Sequence, residues 1–430
     1  MNTAFTPQTV LSSNAPLINT QRLWQSLMDL AQIGATPKGG VCRLALTDLD
    51  KQARDLFIQW CEAAGCTVSV DAIGNIFARR PGRDPQRTPV MTGSHIDTQP
   101  TGGKFDGCFG VMAGLEVIRT LNDLKLETDA PIEVVVWTNE EGSRFPPCMM
   151  GSGVFAGKLD LAETLAKRDE QGLIVGEELQ RIGYAGNRSV LGHPVGAYFE
   201  AHIEQGPILE DQQKTIGVVM GCLGQKWFDL TLRGVEAHAG PTPMHLRKDA
   251  LVGAAQVVSA VNRIARDSQP YACGTVGCLN VHPGSRNVIP GEVKLTIDFR
   301  HLHADKLQAM VDQLQQAIDN ACQQHGLTYQ LTPTADFPPL DFAPECVDAV
   351  RQGAAQLGLS HMDIVSGAGH DAIFIAELGP AGMIFVPCEG GISHNEIESA
   401  TPEDLGAGCA VLLKAMVSAA MARGDALALS

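Results

Sequence analysis

Six consecutive residues, Ile132-Glu133-Val134-Val135-Val136-Trp137, constrain this chain more than any other segment. Branched and aromatic side chains are costly to order in a helix and fit a pleated strand. A run this apolar predicts a strand buried on both faces, as in a parallel or mixed sheet with helices packed against it. Shorter strand segments are expected at Thr67-Val70, Asn75-Ala78 and Pro89-Thr92. Helical spacing appears in Leu23-Trp24, Leu27 and Leu30-Ala31, across Ala53 to Ala64, and in Val111 to Ile118. Strands alternating with helices point to an α/β domain.

The texture changes after Gly221-Cys222-Leu223-Gly224. From there the pattern predicts a strand (Trp227-Leu232), a helix (Asp249-Ile264), two strands (Gly274-Val281 and Glu292-Phe299), an amphipathic helix (Asp305-Cys322) and a strand (Leu327-Leu331). This β-α-β-β-α-β order is that of a ferredoxin-like unit. Thr332 to Pro339 reads as a return linker, and Met383-Ile384-Phe385-Val386-Pro387 resumes the buried-strand texture. The expected organisation is a discontinuous α/β domain, residues 1–221 and 333–430, with a smaller α+β domain, residues 222–332, inserted into it.

Charge and cysteine usage narrow the class. A formal net charge of −16 argues against nucleic acid or an anionic membrane as partner, because both attract basic surfaces. The 12 cysteines are scattered without a Cys-x-x-Cys pair, which fits buried thiols in a reducing compartment. Met1 to Asn19 lacks a basic start and a long apolar stretch, so a cytoplasmic protein is expected.

Chemistry gathers at strand ends. Gly93-Ser94-His95-Ile96-Asp97-Thr98, with Lys104-Phe105-Asp106-Gly107 beyond it, puts one imidazole and two carboxylates on a Gly-rich loop after an apolar lead-in. Such residues suit Zn²⁺, Mn²⁺ or Co²⁺, although Asp beside Gly is equally ordinary turn chemistry. Thr138-Asn139-Glu140-Glu141-Gly142 leaves the Ile132-Trp137 strand, where open α/β sheets keep their crevice. Paired acids there can divide the work of binding a metal and facing a water. His202, in Ala201-His202-Ile203-Glu204-Gln205-Gly206, and His394, in Gly391-Ile392-Ser393-His394-Asn395-Glu396, add imidazoles to further strand ends. Each alone is an unremarkable histidine, but together they are hard to explain as independent accidents. In the insert, His238 follows a strand, Asn287 lies in a loop and Arg300 ends a strand; these types can stabilise an oxyanion or clamp a carboxylate, and each also suits a surface. Ser366-Gly367-Ala368-Gly369-His370-Asp371 reads as a turn opening a helix, with His370 backing the ligands rather than joining them.

Taken in order from Gly93 to Glu396, these segments resemble the hydantoinase/carbamoylase branch of the M20 metallopeptidase family, which includes N-carbamoyl-L-amino acid amidohydrolases, β-ureidopropionase and allantoate amidohydrolase. The resemblance implies a di-metal α/β catalytic domain with a ferredoxin-like lid and dimerisation insert. It implies that His95, Asp106, Glu141, His202 and His394 ligate two divalent ions (Zn, Mn, Co or Ni), with Asp106 bridging. Asp97 would orient His95, and Glu140 would be the general base. Gln205, His238, Asn287 and Arg300 match substrate-contacting positions, and Gln225 is a weaker match. The expected partner is a small ureido substrate bearing a carboxylate, and the expected assembly is a homodimer in which the insert donates His238 across the interface. Asp97 to Asp106 and Arg144-Phe145-Pro146-Pro147 look more like the carbamoylase and β-ureidopropionase members, which leaves allantoate or ureidoglycolate-type substrates as the alternative. An M20 aminoacylase or dipeptidase would carry an acid where His202 stands, and a catalytically silent relative would have lost a ligand or the base.

Overall fold

A computed structural model of the chain describes residues 6–421. Its strands are β1 (Thr67–Val70), β2 (Ile76–Arg80), β3 (Val90–His95), β4 (Ile132–Trp137), β5 (Ala197–Ile203), β6 (Ile216–Cys222), β7 (Gly224–Arg233), β8 (Ala237–His238), β9 (Cys273–His282), β10 (Val288–Ile289), β11 (Glu292–His301), β12 (Thr328–Phe337), β13 (Leu340–Asp341), β14 (His361–Ser366) and β15 (Ala381–Val386). Contacts divide the chain into two units, one of residues 1–220, 342–364 and 368–430, the other of 221–341 with 365–367.

In the first unit the strand order runs β1-β2-β4-β3-β5-β15-β6. The four central strands, β4, β3, β5 and β15, are mutually parallel, and antiparallel strands flank them. Every residue of β3, β4, β5 and β15 is buried, as the β-branched composition of β4 predicts. Helices Cys108–Asp123 and Pro402–Ala420 pack on this sheet and are buried along most of their length. Each Val or Leu side chain taken fully from water contributes about 1.5–3 kcal/mol before entropy is subtracted. That burial holds the carboxyl ends of the parallel strands rigidly in line.

The second unit is a four-stranded antiparallel sheet in the order β12-β7-β11-β9, with helices Ala250–Asp267 and Ala304–His325 on one face. Its strands alternate: in β11, Val293, Leu295, Ile297 and Phe299 are buried among the helices, while Lys294 and Thr296 point away. Chain order and strand order together are those of a split β-α-β fold.

One expectation fails on a strand edge. The segment read as a return linker, Thr332 to Pro339, is mostly the second half of β12, which stays paired with β7 from Thr328↔Arg233 to Phe337↔Gln225. A register shift between Pro333 and Ala335 absorbs the proline, which an edge strand tolerates because one side needs no ladder donor. The polar residues that suggested a linker are the open face and edge of a one-sided sheet. None of the twelve cysteines is in a disulfide, but Cys148, Cys273 and Cys278 are exposed and Cys42 half-buried rather than buried. No helix among the described residues is long and apolar enough to cross a membrane.

Candidate metal centre and active site

The parallel strands deliver the candidate residues to one place. β3 ends on His95, which pairs with Trp137 at the end of β4. β3 and β5 are in register at Thr92↔Phe199, so three residues further along each strand stand His95 and His202, with ring centroids 6.2 Å apart. His202 is level with Phe385 of β15, and the loop that follows β15 brings His394 back. Glu140 and Glu141 follow β4 by three and four residues.

Asp106 lies between these groups. Its Oδ1 is 3.2 Å from His202 Nε2 and 3.6 Å from His95 Nε2, while its Oδ2 is 3.4 Å from His394 Nε2. His394 Nε2 is also 3.5 Å from Glu141 Oε2, and His95 Nε2 is 3.4 Å from Glu140 Oε2. Two of the compact donor sets in this region meet at Asp106, His95-Asp106-His202 and Asp106-Glu141-His394, each with one ligating atom per residue within 4.8 Å of the others. Asp106 is common to both, one oxygen toward each.

Local backbone conformation makes this approach possible. Gly107 has φ of +65°, and a Cβ there would fall 2.3 Å from His95 Nε2, so glycine alone fits between the loop and the imidazole. Non-glycine residues Asn139, Gln205 and His394 also have positive φ, at 54°, 58° and 53°. Strained residues of this kind persist where surrounding structure over-determines them, and here they lie beside the candidate ligands. Asn139 earns its conformation through its side-chain amide, which donates to Phe145 O at 2.8 Å and closes the loop carrying Glu140 and Glu141.

Electrostatics tie the same groups together. Burial favours a neutral His95, yet Glu140, Asp106, Asp97 and Glu141 hold it well above the ordinary imidazole value. Burial raises Glu140 well above the carboxylate range. Burial, then Asp106, pushes Glu141 up to about 7. Asp106 moves the other way against its burial, held well below the usual range by hydrogen bonds from His202, His394 and His95. Four carboxylates thus compete for positive charge that three imidazoles supply only by staying protonated. A divalent cation answers that deficit, and oxygen and imidazole donors suit zinc- or manganese-like ions.

Two different groups of Asp97 face the candidate site residues. His95 Nδ1 lies 2.9 Å from the Asp97 backbone carbonyl and 3.9 Å from its carboxylate, so the carbonyl fixes the ring. The carboxylate instead accepts the backbone N–H groups of Glu140 and Glu141, both at 3.3 Å. Asp97 therefore meets the imidazole with its carbonyl and the acidic pair with its carboxylate.

Gln205 donates to Asp106 Oδ2 at 2.8 Å and lines, with the candidate ligands and Met149, a pocket of about 200 Å³. His370 stands against His202 with ring centroids 4.7 Å apart and forms with Glu200 and His202 a further compact donor set, and the helix after it is only Ala372–Ile375. Sequence reasoning missed Glu200 and Glu398. Glu200 is buried behind His202 and accepts from Ser94 Oγ at 2.7 Å, Ala372 N at 3.0 Å and Tyr198 Oη at 3.2 Å. Its position two residues before His202, on the same strand face, is the signal that could have found it.

The remaining predicted residues belong to the second unit, where they form two pairs. Arg300 of β11 is in register with Gln225 of β7, and its guanidinium donates to Asp298 Oδ2 at 2.7 Å and to Gly367 O at 2.6 Å. His238 pairs with Val288, next to Asn287, whose carbonyl accepts the Ala239 N–H at 2.8 Å. His238 is exposed, and its Nδ1 accepts the Gly240 N–H at 3.0 Å.

Fold and site together define an α/β hydrolytic enzyme with a candidate metal centre at the carboxyl ends of its parallel strands. The chain belongs to the peptidase family M20/M25/M40, whose model matches residues 91–418. An N-carbamoyl-L-amino-acid amidohydrolase from Rhizobium meliloti is 47% identical over 94% of this chain and 97% of its own length. A ureidoglycolate hydrolase from Arabidopsis thaliana is 34% identical over 94% of this chain and 86% of its own. Among solved structures, an amidase of the hydantoinase/carbamoylase family from Burkholderia multivorans superposes with a TM-score of 0.93 at 57% identity, covering 94% of this chain and 98% of that one.

Proposed function

We propose that the chain hydrolyses the carbamoyl C–N bond of N-carbamoyl amino acids, giving the amino acid, CO₂ and ammonia. The observation that carries this reading is Asp106, whose two oxygens face two separate donor sets. The similarity to N-carbamoyl-L-amino-acid amidohydrolases over nearly the whole chain supports the substrate class. In this reading His95, Asp106 and His202 hold one divalent ion, and Asp106, Glu141 and His394 hold the other. Bound there, the ions would supply Lewis acidity and lower the pKa of the attacking water.

The chain's own residues do the rest. Glu140, buried and 3.4 Å from His95, takes the proton of the water that adds to the ureido carbon. The same carboxyl then gives that proton to the amino-acid nitrogen as the C–N bond breaks, leaving carbamate to decompose to CO₂ and ammonia. His238 donates to the developing oxyanion, with Asn287 beside it. Arg300, with Gln225 next to it in the sheet, clamps the substrate carboxylate in place of Asp298, and Gln205 contacts the substrate from the ligand side. The second unit acts as lid and dimerisation domain in a cytoplasmic homodimer, so that His238 serves the partner's site.

Ammonia release from N-carbamoyl-L-amino acids or N-carbamoyl-β-alanine by protein carrying two ions, abolished by chelation, is the expected result. Two bound ions with no release from any ureido substrate would sink the reading. The similarity to the Arabidopsis ureidoglycolate hydrolase supports a second substrate class, which the same panel compares by kcat/KM.

A further inference from the structure

Asp106 can face two donor sets only if its backbone is fixed, and the group that fixes it comes from nearly three hundred residues away. Glu398 Oε1 accepts the Phe105 N–H at 2.8 Å and the Asp106 N–H at 3.1 Å. Its Oε2 lies 3.3 Å from Ser393 Oγ, and the Ser393 hydroxyl lies 2.7 Å from Asp106 Oδ2. The Glu398 backbone N–H donates to Asn395 O at 3.0 Å, which closes the turn immediately after His394. Glu398 is 4% exposed, and a Cβ at Gly103 would fall 2.1 Å from its Cδ, so the loop before Asp106 is built tightly around this carboxylate.

We propose that Glu398 is a positioning residue for the metal centre: by gripping the Phe105 and Asp106 amides it holds the shared carboxylate, and with it both donor sets, in binding geometry. Asp106 has only two side-chain torsions. Once its backbone is fixed, the directions of both oxygens are nearly fixed too. Removing the grip leaves two buried N–H groups unpaired and lets the loop shift, and a site of this kind tolerates only about 0.5 Å of displacement. Because Asp106 serves both donor sets, both must weaken together. A carboxylate acting only on the His394 side would weaken one.

The proposal rests on Asp106 joining two metal sites, and the experiment separates the two ideas. Full-length protein is stripped with chelator and titrated with Mn²⁺ by calorimetry, with bound metal counted by mass spectrometry. Wild type takes up two ions. In Glu398→Ala and Glu398→Asp both affinities fall together by about 10–100-fold, the usual cost of losing a group that supports metal ligands. Glu398→Gln stays near wild type, because its carbonyl oxygen still accepts both amides and its NH₂ can donate to Ser393 Oγ. Should the alanine variant not fold, the aspartate variant, one methylene short, carries the comparison. Wild-type affinities in Glu398→Asp, loss at one ion only, or a glutamine variant as weak as the aspartate variant would each overturn the proposal. A wild-type chain that binds fewer than two ions would instead remove the reading beneath it, and the proposal with it.

Discussion

The two units bury their sheets differently, and the difference separates the two kinds of chemistry. In the first, β3, β4, β5 and β15 are covered on both faces, and His95 and His202 stand buried toward the carboxyl ends of β3 and β5. In the second, β7 and β11 alternate buried and accessible residues over one layer of helices. A doubly covered sheet can hold carboxylates and imidazoles in a dry, rigid cluster, where mutual repulsion creates a demand for cations. A singly covered sheet presents Arg300 and Gln225 in register at one end, with Arg300 held by Asp298 and Gly367 O, and a short ribbon presents His238 beside Asn287.

The largest effect that tests this division comes from Asp106→Ala. Losing the carboxylate common to both donor sets should abolish ammonia release and remove both ions, while the second unit keeps its fold. Metal counting and circular dichroism report the two halves. One retained ion would mean that the donor sets are independent. Next is Glu140→Gln, which should leave two ions bound and lower kcat by about 10²–10⁴-fold, the usual range for a general base. Loss of metal in that variant would make Glu140 a ligand and erase its distinction from Glu141.

A smaller effect belongs to the second unit. Arg300→Ala should raise KM for a carboxylated substrate by about 10–100-fold with kcat nearly unchanged, as expected when a charge-assisted hydrogen bond made equally in ground and transition states is lost. An equal fall in kcat would move Arg300 from binding into the chemistry.

The two units also differ in how legible they were. The candidate residues at strand ends stood out because His95, Glu140, Glu141 and His394 follow apolar runs that leave a polar residue few places to go. The expectation of two ions sharing Asp106 came only through the family resemblance, and the partition into His95-Asp106-His202 and Asp106-Glu141-His394 needed the structure, since spacing in sequence carries no angle between strands. Asp97 shows the limit: its residue was identifiable, but whether its carbonyl or its carboxylate meets His95 depends on the turn after β3. Glu398 was illegible because its partners are backbone amides 292 and 293 positions away. In the second unit the helices and strands followed from periodicity, yet Thr332 to Phe337 looked like a linker because a half-exposed edge strand is nearly as polar as a loop.

The smallest effect probes the sheets themselves. Val135 of β4 is 0% exposed, and Val135→Thr keeps its shape while burying a hydroxyl among apolar neighbours. Without a partner that hydroxyl costs about 1–3 kcal/mol. Lys294→Thr, on the accessible face of β11, removes only a 3.5 Å contact with Glu292 and should change stability by no more than about 0.5 kcal/mol. Thermal unfolding of the two variants compares a threonine introduced into a doubly covered strand with one introduced on an open sheet face. Equal losses would mean that the open face of β11 is covered in solution, and the assembly that covers it would then belong in any account of how the second unit meets substrate.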